Sequence, residues 1–254
     1  MFSDLFIRVA AERLAAQAPL LQQCKANPEL YLSAEKLKAL DAKASRDTAA
    51  MLADFPCHTL HAPFMDVWPG AADEDIRRFS LRQMQRVMDL AVNWKSLLVV
   101  MHFNYDPIYY SCHVAEWLDR AAAFYRDLLG ETNGPLIALE NIAEATPHIV
   151  LQLMKRIAHP RAVHCFDIGH HHVFARIPLE EWLFYLAPRR HIHFHFHDNF
   201  GHSDDHLAMG RGTIDWPRAK AALRGLDCPF SIALEPKSLE NLRASVAYYK
   251  KVFR

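Results

Sequence analysis

Residues 191–199 read HIHFHFHDN. In an extended chain successive side chains point to opposite faces. Ile192, Phe194 and Phe196 therefore share one face, and His191, His193 and His195 the other. The apolar face suits a covering layer of helices, which turns the imidazoles toward the axis of a closed sheet. Residues 230–236 repeat the pattern, with Phe230, Ile232 and Leu234 outward and Ser231, Ala233 and Glu235 inward. In residues 135–141, Ile137 and Leu139 face out and Glu140 faces in. The shared parity predicts that Glu140, His195 and Glu235 meet at one central spot.

Working outward, further short apolar runs occur at Leu5–Ala10, 29–32, 57–63, 96–102 and 162–170, which makes eight candidate strands. Between most of them lies a stretch of helical period. Asp73 precedes a 3.6-period stripe through Ile76, Phe79, Met84, Val87, Met88 and Ala91. A second stripe runs from Val114 to Leu128 and is closed by Gly130. Thr146 and Pro147 form an N-cap and N1 pair, and Ser238 opens the last helix. Strand–helix alternation implies parallel strands, since each helix is the crossover that returns the chain. Eight such units in 254 residues fit a single (β/α)8 TIM barrel spanning residues 1–254. The competing open doubly wound sheet usually carries a Gly-rich first turn, and none is present.

Composition narrows the function. Half the chain is apolar (51%), which supports a sizeable core. Lys and Arg (29) balance Asp and Glu (29), so no excess charge is available for a nucleic-acid backbone or an anionic membrane. Five scattered cysteines without a Cys-x-x-Cys pair indicate neither a disulfide framework nor a thiolate zinc site. The first residues, MFSDLFIRVAAERL, mix charges into their apolar stretch and do not read as a signal peptide. No uncharged run approaches the ~18–20 residues of a membrane span. A cytoplasmic protein is expected.

The 16 histidines are the outlier. The third strand ends in His61, the fourth in His102, the fifth in Glu140 and Asn141. The sixth ends in Asp167 and His170, the seventh in His195, His197 and Asp198, the eighth in Glu235. All lie at C-terminal strand ends, where barrel enzymes build their sites. Any one of them alone reads as readily as a satisfied core residue. Six consecutive strands ending this way imply unpaired buried charges costing several kcal/mol each, unless a cation sits among them. Imidazole and carboxylate without thiolate suit zinc, manganese, iron, cobalt or magnesium. Asp204 and His206, two apart in a loop, could face a common ion.

With these residues in place the chain resembles the xylose isomerase-like barrel superfamily, which includes AP endonuclease family 2 (endonuclease IV-like) enzymes. The resemblance rests on HAPF at 61–64, His102, ALEN at 138–141, FDIGH at 166–170, HFHDN at 195–199, DDHLAMGRG at 204–212 and ALEP at 233–236. It implies up to three zinc ions. His61 and His102 would hold one; Asp167, His195 and Glu235 a second; Glu140 would bridge them; and His170, Asp204 and His206 would hold the third. The sugar isomerase and epimerase branch resembles the chain in Glu140, Asp167, His195 and Glu235 around one manganese, magnesium or cobalt ion. All nine ligand positions are filled here, which favours a multi-zinc phosphoester hydrolase. In that reading Glu140, Glu235 and Asp167 are catalytic. In the isomerase reading Glu140 and Glu235 take and return a proton beside a carbonyl.

DNA is disfavoured as substrate, because net charge is zero, no Arg occurs around residues 31–36, and Phe64 stands where the repair enzymes carry Tyr. A small phosphoester or a sugar is the expected partner. HAPFMDVWPGAADEDIRRFS resembles the cobamide-remodelling branch of the superfamily. Arg211, Asn141 and Trp68 are candidates to touch substrate, Arg211 because its fork matches phosphate; a solvated Arg and an interface Trp are the plainer readings. His197 with Asp198 could support a ligand from behind. Barrels of this family often pair, so a homodimer is an expectation.

Overall fold

In the computed structural model, which describes residues 5–130, 133–186, 190–235 and 237–253, the expected alternation is present. The strands are β1 (Leu5–Ala10), β2 (Asn27–Tyr31), β3 (Thr59–His61), β4 (Leu98–His102), β5 (Leu136–Glu140), β6 (Ala162–Asp167), β7 (Ile192–Phe196) and β8 (Phe230–Leu234). The helices are α1 (Leu14–Cys24), α2 (Ala34–Ala39), α3 (Ala42–Leu52), α4 (Glu74–Trp94), α5 (Val114–Leu129), α6 (His148–Ile157), α7 (Ile168–Phe174), α8 (Leu179–Leu186), α9 (Trp216–Arg224) and α10 (Leu239–Phe253). Each strand pairs in parallel with the next, and β8 pairs with β1 to close the barrel. The fold is a single (β/α)8 TIM barrel. No helix among the described residues is long and apolar enough to cross a membrane.

Strand parity sorts the core into two compartments. Ile137, Leu139, Ile192, Phe194, Phe196, Ile232 and Leu234 join the large cluster between sheet and helices. Leu98, Val100, Ala138, Val163 and Cys165 form a separate small cluster inside the barrel. Above it the inward positions turn polar, and that change of character locates the site.

Local signals explain the helix starts. Asp73 accepts from the backbone N–H groups of Asp75 and Ile76 and so caps α4. Asp167 accepts from the His170 N–H at 2.7 Å, which ends β6 and starts α7 in one residue. The sixth strand, expected to reach His170, therefore stops at Asp167, because the carboxylate offers the backbone a helical turn. Helix α6 begins at His148 with Pro147 as its cap residue, one position later than the Thr146–Pro147 pair predicts. Gly130 closes α5 at a positive φ of 54°. Pro236, the last residue of the eighth expected strand, lies outside the described residues.

Phe194 tests the outer core. It is fully buried and meets Phe166 and Phe230 edge-on. Phe194→Ala is expected to destabilise the barrel by about 3–5 kcal/mol, read as a lowered thermal midpoint of the metal-free protein.

Candidate metal centre

The closed sheet brings all nine expected ligand residues around one basin at the C-terminal rim. His102 pairs in register with Glu140 across β4 and β5. Nε2 of His61 and Nε2 of His102 stand 3.3 and 3.0 Å from Glu140 Oε2. Asp167 pairs in register with His195. His195 Nδ1 lies 3.0 Å from Glu140 Oε1, 3.2 Å from Glu235 Oε1 and 3.9 Å from Asp167 Oδ2. A third corner forms where the loop after β7 folds back. There His170 Nε2 and His206 Nε2 approach Asp204 Oδ2 at 3.5 and 3.1 Å, and His197 Nε2 approaches Asp204 Oδ1 at 3.5 Å.

The rings are aimed by what they touch behind them. A carbonyl oxygen only accepts, so a ring nitrogen facing one must carry the proton. His61 Nδ1 donates to the Ala62 carbonyl at 2.9 Å, and His170 Nδ1 to the Asn141 carbonyl at 2.8 Å. Their Nε2 edges are thereby turned into the basin, where the neutral ring would offer its lone pair to an ion, the arrangement that metal-bound histidines usually show.

The donor set fits divalent cations. Glu140 Oε2, Asp167 Oδ2, Glu235 Oε1 and both nitrogens of His197 are buried without an aligned hydrogen bond, although imidazoles and carboxylates crowd around them. Such orphaned groups are rare in proteins. Their distances leave the donors facing common points rather than each other. His61, His102 and Glu140 make one convergent group, His61, His195 and Glu235 another, and His170, His197, Asp204 and His206 a third. Hard oxygen with imidazole suits zinc, manganese or magnesium. Cys165 also reaches the group formed with Glu140 and His195. Burial pushes its thiol well above the ordinary range, which keeps it S–H.

The charges are strongly perturbed. Burial alone would raise the Glu140 carboxyl, but His195 and His102 outweigh it and hold the group well below the carboxylate range. Asp167 is held at about 2, burial being outweighed by His170 and His197. Burial opposes the charge on His170, yet Asp167, Asp204 and Glu140 lift it to about 10.

The surroundings of the basin only partly match the sequence reading. Trp68 lines a cavity of about 490 Å³ at the mouth, together with His102, Glu140, His170 and Glu235. Phe64 stacks on His102 at 4.4 Å. Asn104 donates to the Phe64 and Val67 carbonyls, both at 2.8 Å, and so fixes that wall. Asn141 is buried, and its amide accepts from the Asp167 N–H and donates to the Asp167 carbonyl. It therefore positions Asp167. Arg211 is exposed and is not among the residues lining either cavity at the mouth.

Asp198 does not back His197. It accepts from Gly210 N, Ile214 N and Trp216 Nε1 at 2.8, 3.2 and 2.9 Å, tying down the loop that carries Asp204 and His206. Gly212 packs so close to Asp198 and Asn199 that a Cβ would collide. His206 sits at φ 51°, a left-handed conformation that a non-glycine residue adopts at a cost and that the tied loop imposes. His197 nestles against Gly169, where any side chain would strike its ring.

Two groups went unread in the sequence. Arg8 on β1 stands 3.1 Å from Glu235 Oε1. Glu29 on β2 is fully buried below the basin, 3.1 Å from His195 Nε2 and 2.8 Å from His193 Nε2, and it accepts from Thr59 Oγ1 at 2.9 Å. With Nδ1 facing the three upper carboxylates and Nε2 facing Glu29, His195 is oriented as a ligand through Nδ1. The signal for both residues was strand parity on β1 and β2, where Arg8 and Glu29 pair in register and face inward.

Residues 24–252 match the family described as xylose isomerase-like TIM barrel. The chain is 29% identical over 195 residues to an uncharacterized protein of Methanocaldococcus jannaschii, MJ1311, covering 72% of this chain and 65% of that protein. It thus spans just under two thirds of that relative's length. Among solved structures it resembles a D-tagatose 3-epimerase-like protein, with a TM-score of 0.83 and 24% identity over 98% of this chain and 97% of that one. It also resembles the TTHB071 protein of Thermus thermophilus, soaked with ZnCl2, with a TM-score of 0.78 and 23% identity over 99% and 98% of the two chains.

The geometry makes two predictions. Glu29→Gln keeps the hydrogen-bonding shape but removes the charge behind His195. It should weaken divalent-metal affinity about 10–100-fold, measured by competition with a chelator of known affinity, while the circular dichroism spectrum stays unaltered. Second, a folded pKa raised to about 10 means that His170 of the metal-free protein is protonated at pH 7. Ligation needs the neutral ring, so metal binding must expel protons, and apparent affinity should climb as pH rises from about 6 to 8. Calorimetric zinc titrations in buffers of different ionisation enthalpy read the proton release directly.

Proposed function

The chain belongs to the xylose isomerase-like TIM barrel family, and on that premise we propose that it is a divalent-metal-dependent hydrolase of small phosphoesters, holding up to three zinc ions. The observation that carries this reading is the third corner. His170, His197, Asp204 and His206 converge, and His61 and His102 converge separately on Glu140, in addition to the four residues a single-ion isomerase employs. Loop anchoring by Asp198 and the left-handed backbone of His206 hold that corner in place at a cost that a bystander group would not warrant.

Bound divalent ions supply Lewis acidity, acidifying water and neutralising negative charge on a phosphoester. The chain's own groups do the rest. Glu140 reaches both His61 and His102 on one side and His195 on the other, so it fixes the spacing across the basin. Burial would raise Glu235, but Arg8 and His195 keep it ionised, so its carboxylate is available to take a proton from attacking water at the mouth. Asp167 faces the same space and is kept ionised by His170 and His197. Phe64 and Trp68 form an aromatic wall of the cavity at the mouth. The substrate is a small molecule; the cobamide-remodelling resemblance of residues 61–80 names one such class.

A second reading is favoured by the contact of Glu140 and Glu235 with the same nitrogen, His195 Nδ1, from 3.0 and 3.2 Å. Two carboxylates flanking one point can take and return a proton beside a sugar carbonyl, with one manganese or magnesium ion polarising the oxygens. The D-tagatose 3-epimerase-like neighbour accords with it.

Elemental analysis of protein purified without chelator separates the two. Close to three zinc ions per chain is expected; a single exchangeable manganese or magnesium supports the isomerase. His170→Ala with His206→Ala should empty the third corner and lower turnover of bis(p-nitrophenyl) phosphate by about 10²-fold or more. Undiminished turnover in that double variant would remove the catalytic role of the third corner.

A further inference from the structure

The mouth of the barrel has two lobes of opposite character. One is walled by Phe64, Met65, Trp68 and Ile142. The other, about 460 Å³, is lined by Arg8, Arg13 and Lys237, with Gln17, Tyr31 and Ser238. The two share Arg8, Phe64, Asp204, His206 and Glu235, so the metal basin is their junction. The cationic lobe follows from closure: β8 and β1 are neighbours, Arg13 lies just after β1, and Lys237 lies just after β8.

Arg8 is held ready for a ligand. Its side chain is only 20% exposed and lies over the Tyr31 ring at 4.6 Å, which fixes the plane of the guanidinium. A guanidinium has five N–H donors. One nitrogen of Arg8 engages Glu235, and the others have no protein acceptor among the described residues. Among the described residues, the acids lining this lobe are Asp204 and Glu235. Both belong to the ion-binding groups, so bound cations neutralise them and leave Arg8, Arg13 and Lys237 uncompensated.

We propose that this lobe is a subsite for a second anionic group of the substrate, a phosphate or a carboxylate, lying across the metal basin from the aromatic lobe. This rests on the hydrolase reading. The substrate it describes is a phosphoester with an apolar or planar group at one end and an anionic group at the other. Three cations lining one lobe match a phosphate dianion better than a single carboxylate.

The test is calorimetric binding of inorganic sulfate and of acetate to the metal-loaded protein and to an Arg13→Ala/Lys237→Ala double variant. Both residues are exposed, so the variant should fold and hold its metals, which elemental analysis checks. Sulfate binding that the double variant weakens by roughly tenfold or more supports a phosphate subsite. Acetate binding that is tighter than sulfate and weakened in the same way supports a carboxylate subsite. No binding of either anion to the parent, or binding equal in parent and variant, overturns the proposal. Arg8→Gln, with its metal content measured because Arg8 touches Glu235, should weaken the same anion. Turnover is scored separately. If bis(p-nitrophenyl) phosphate is cleaved while sulfate ignores the double variant, the subsite falls and the hydrolase stands. If sulfate depends on Arg13 and Lys237 while no phosphoester is cleaved, the subsite stands and the hydrolase falls.

Discussion

Four carboxylates surround one imidazole. Glu140, Glu235 and Asp167 lie 3.0, 3.2 and 3.9 Å from His195 Nδ1, and Glu29 lies 3.1 Å from Nε2 on the opposite edge. All are buried. Two like charges ~5 Å apart repel by about 3 kcal/mol even at an effective dielectric constant of 20. One protonated ring and the Arg8 guanidinium beside Glu235 do not balance four carboxylates. Cations at the centre would resolve the repulsion, and the same cations would satisfy the buried oxygens that lack hydrogen bonds. The basin therefore makes physical sense as a metal site and poor sense as a structural network.

The rest of the barrel supports this concentration of charge. Closed pairing fixes each rim residue to its neighbour: His102 to Glu140, Asp167 to His195, Arg8 to Glu29. A one-residue slip of any strand would turn its ligand outward into the helix layer. The outward faces of β5, β7 and β8 make such a slip costly, because Ile137, Leu139, Phe194, Phe196, Ile232 and Leu234 are all buried under the helices. Aromatic packing outside thus enforces polar convergence inside. Glu29, Thr59, His193 and Ser231 form a hydrogen-bonded layer beneath the basin, a polar floor between the proposed ligands and the small apolar plug.

The fold was legible because parity in HIHFHFHDN and in residues 230–236 admits only one inward set. The meeting of Glu140, Glu235 and His195 was legible for the same reason, while the other six proposed ligands stood out by their place at strand ends or, for Asp204 and His206, by their spacing in one loop and by motif resemblance. Boundaries were less so: β6 stops at Asp167 because that carboxylate caps α7, a choice that depends on where Asn141 pins the strand end. Arg8 and Glu29 were missed because each looks ordinary in its own strand. Their importance arises only on closure, when β1 meets β8 and β2 faces β7 across the axis. His197 was assigned a supporting role with Asp198, yet Asp198 is committed to the loop through Gly210, Ile214 and Trp216. Arg211 had motif surroundings in its favour, but the loop turns it outward into solvent.

The number of ions decides what the mouth attracts. Among the described residues, Glu29, Glu140, Asp167, Asp204 and Glu235 have Arg8 as the permanent cation within the basin and its floor. With every histidine neutral, as full ligation requires, that leaves an excess of about four negative charges. One divalent ion beside a protonated, unligated His170 would leave the basin without a positive excess, a setting that draws phosphates weakly and suits neutral polyols. Three divalent ions reverse the sign, and Arg13 and Lys237 at the rim then extend a positive field toward solvent. A hydrolase of anionic esters and an isomerase of neutral sugars are thus separated less by the four residues around His195 than by whether His61, His102, His170, His197, Asp204 and His206 hold their own ions. The same strands and the same inward parity would serve either chemistry, and occupancy of the outer corners would select between them.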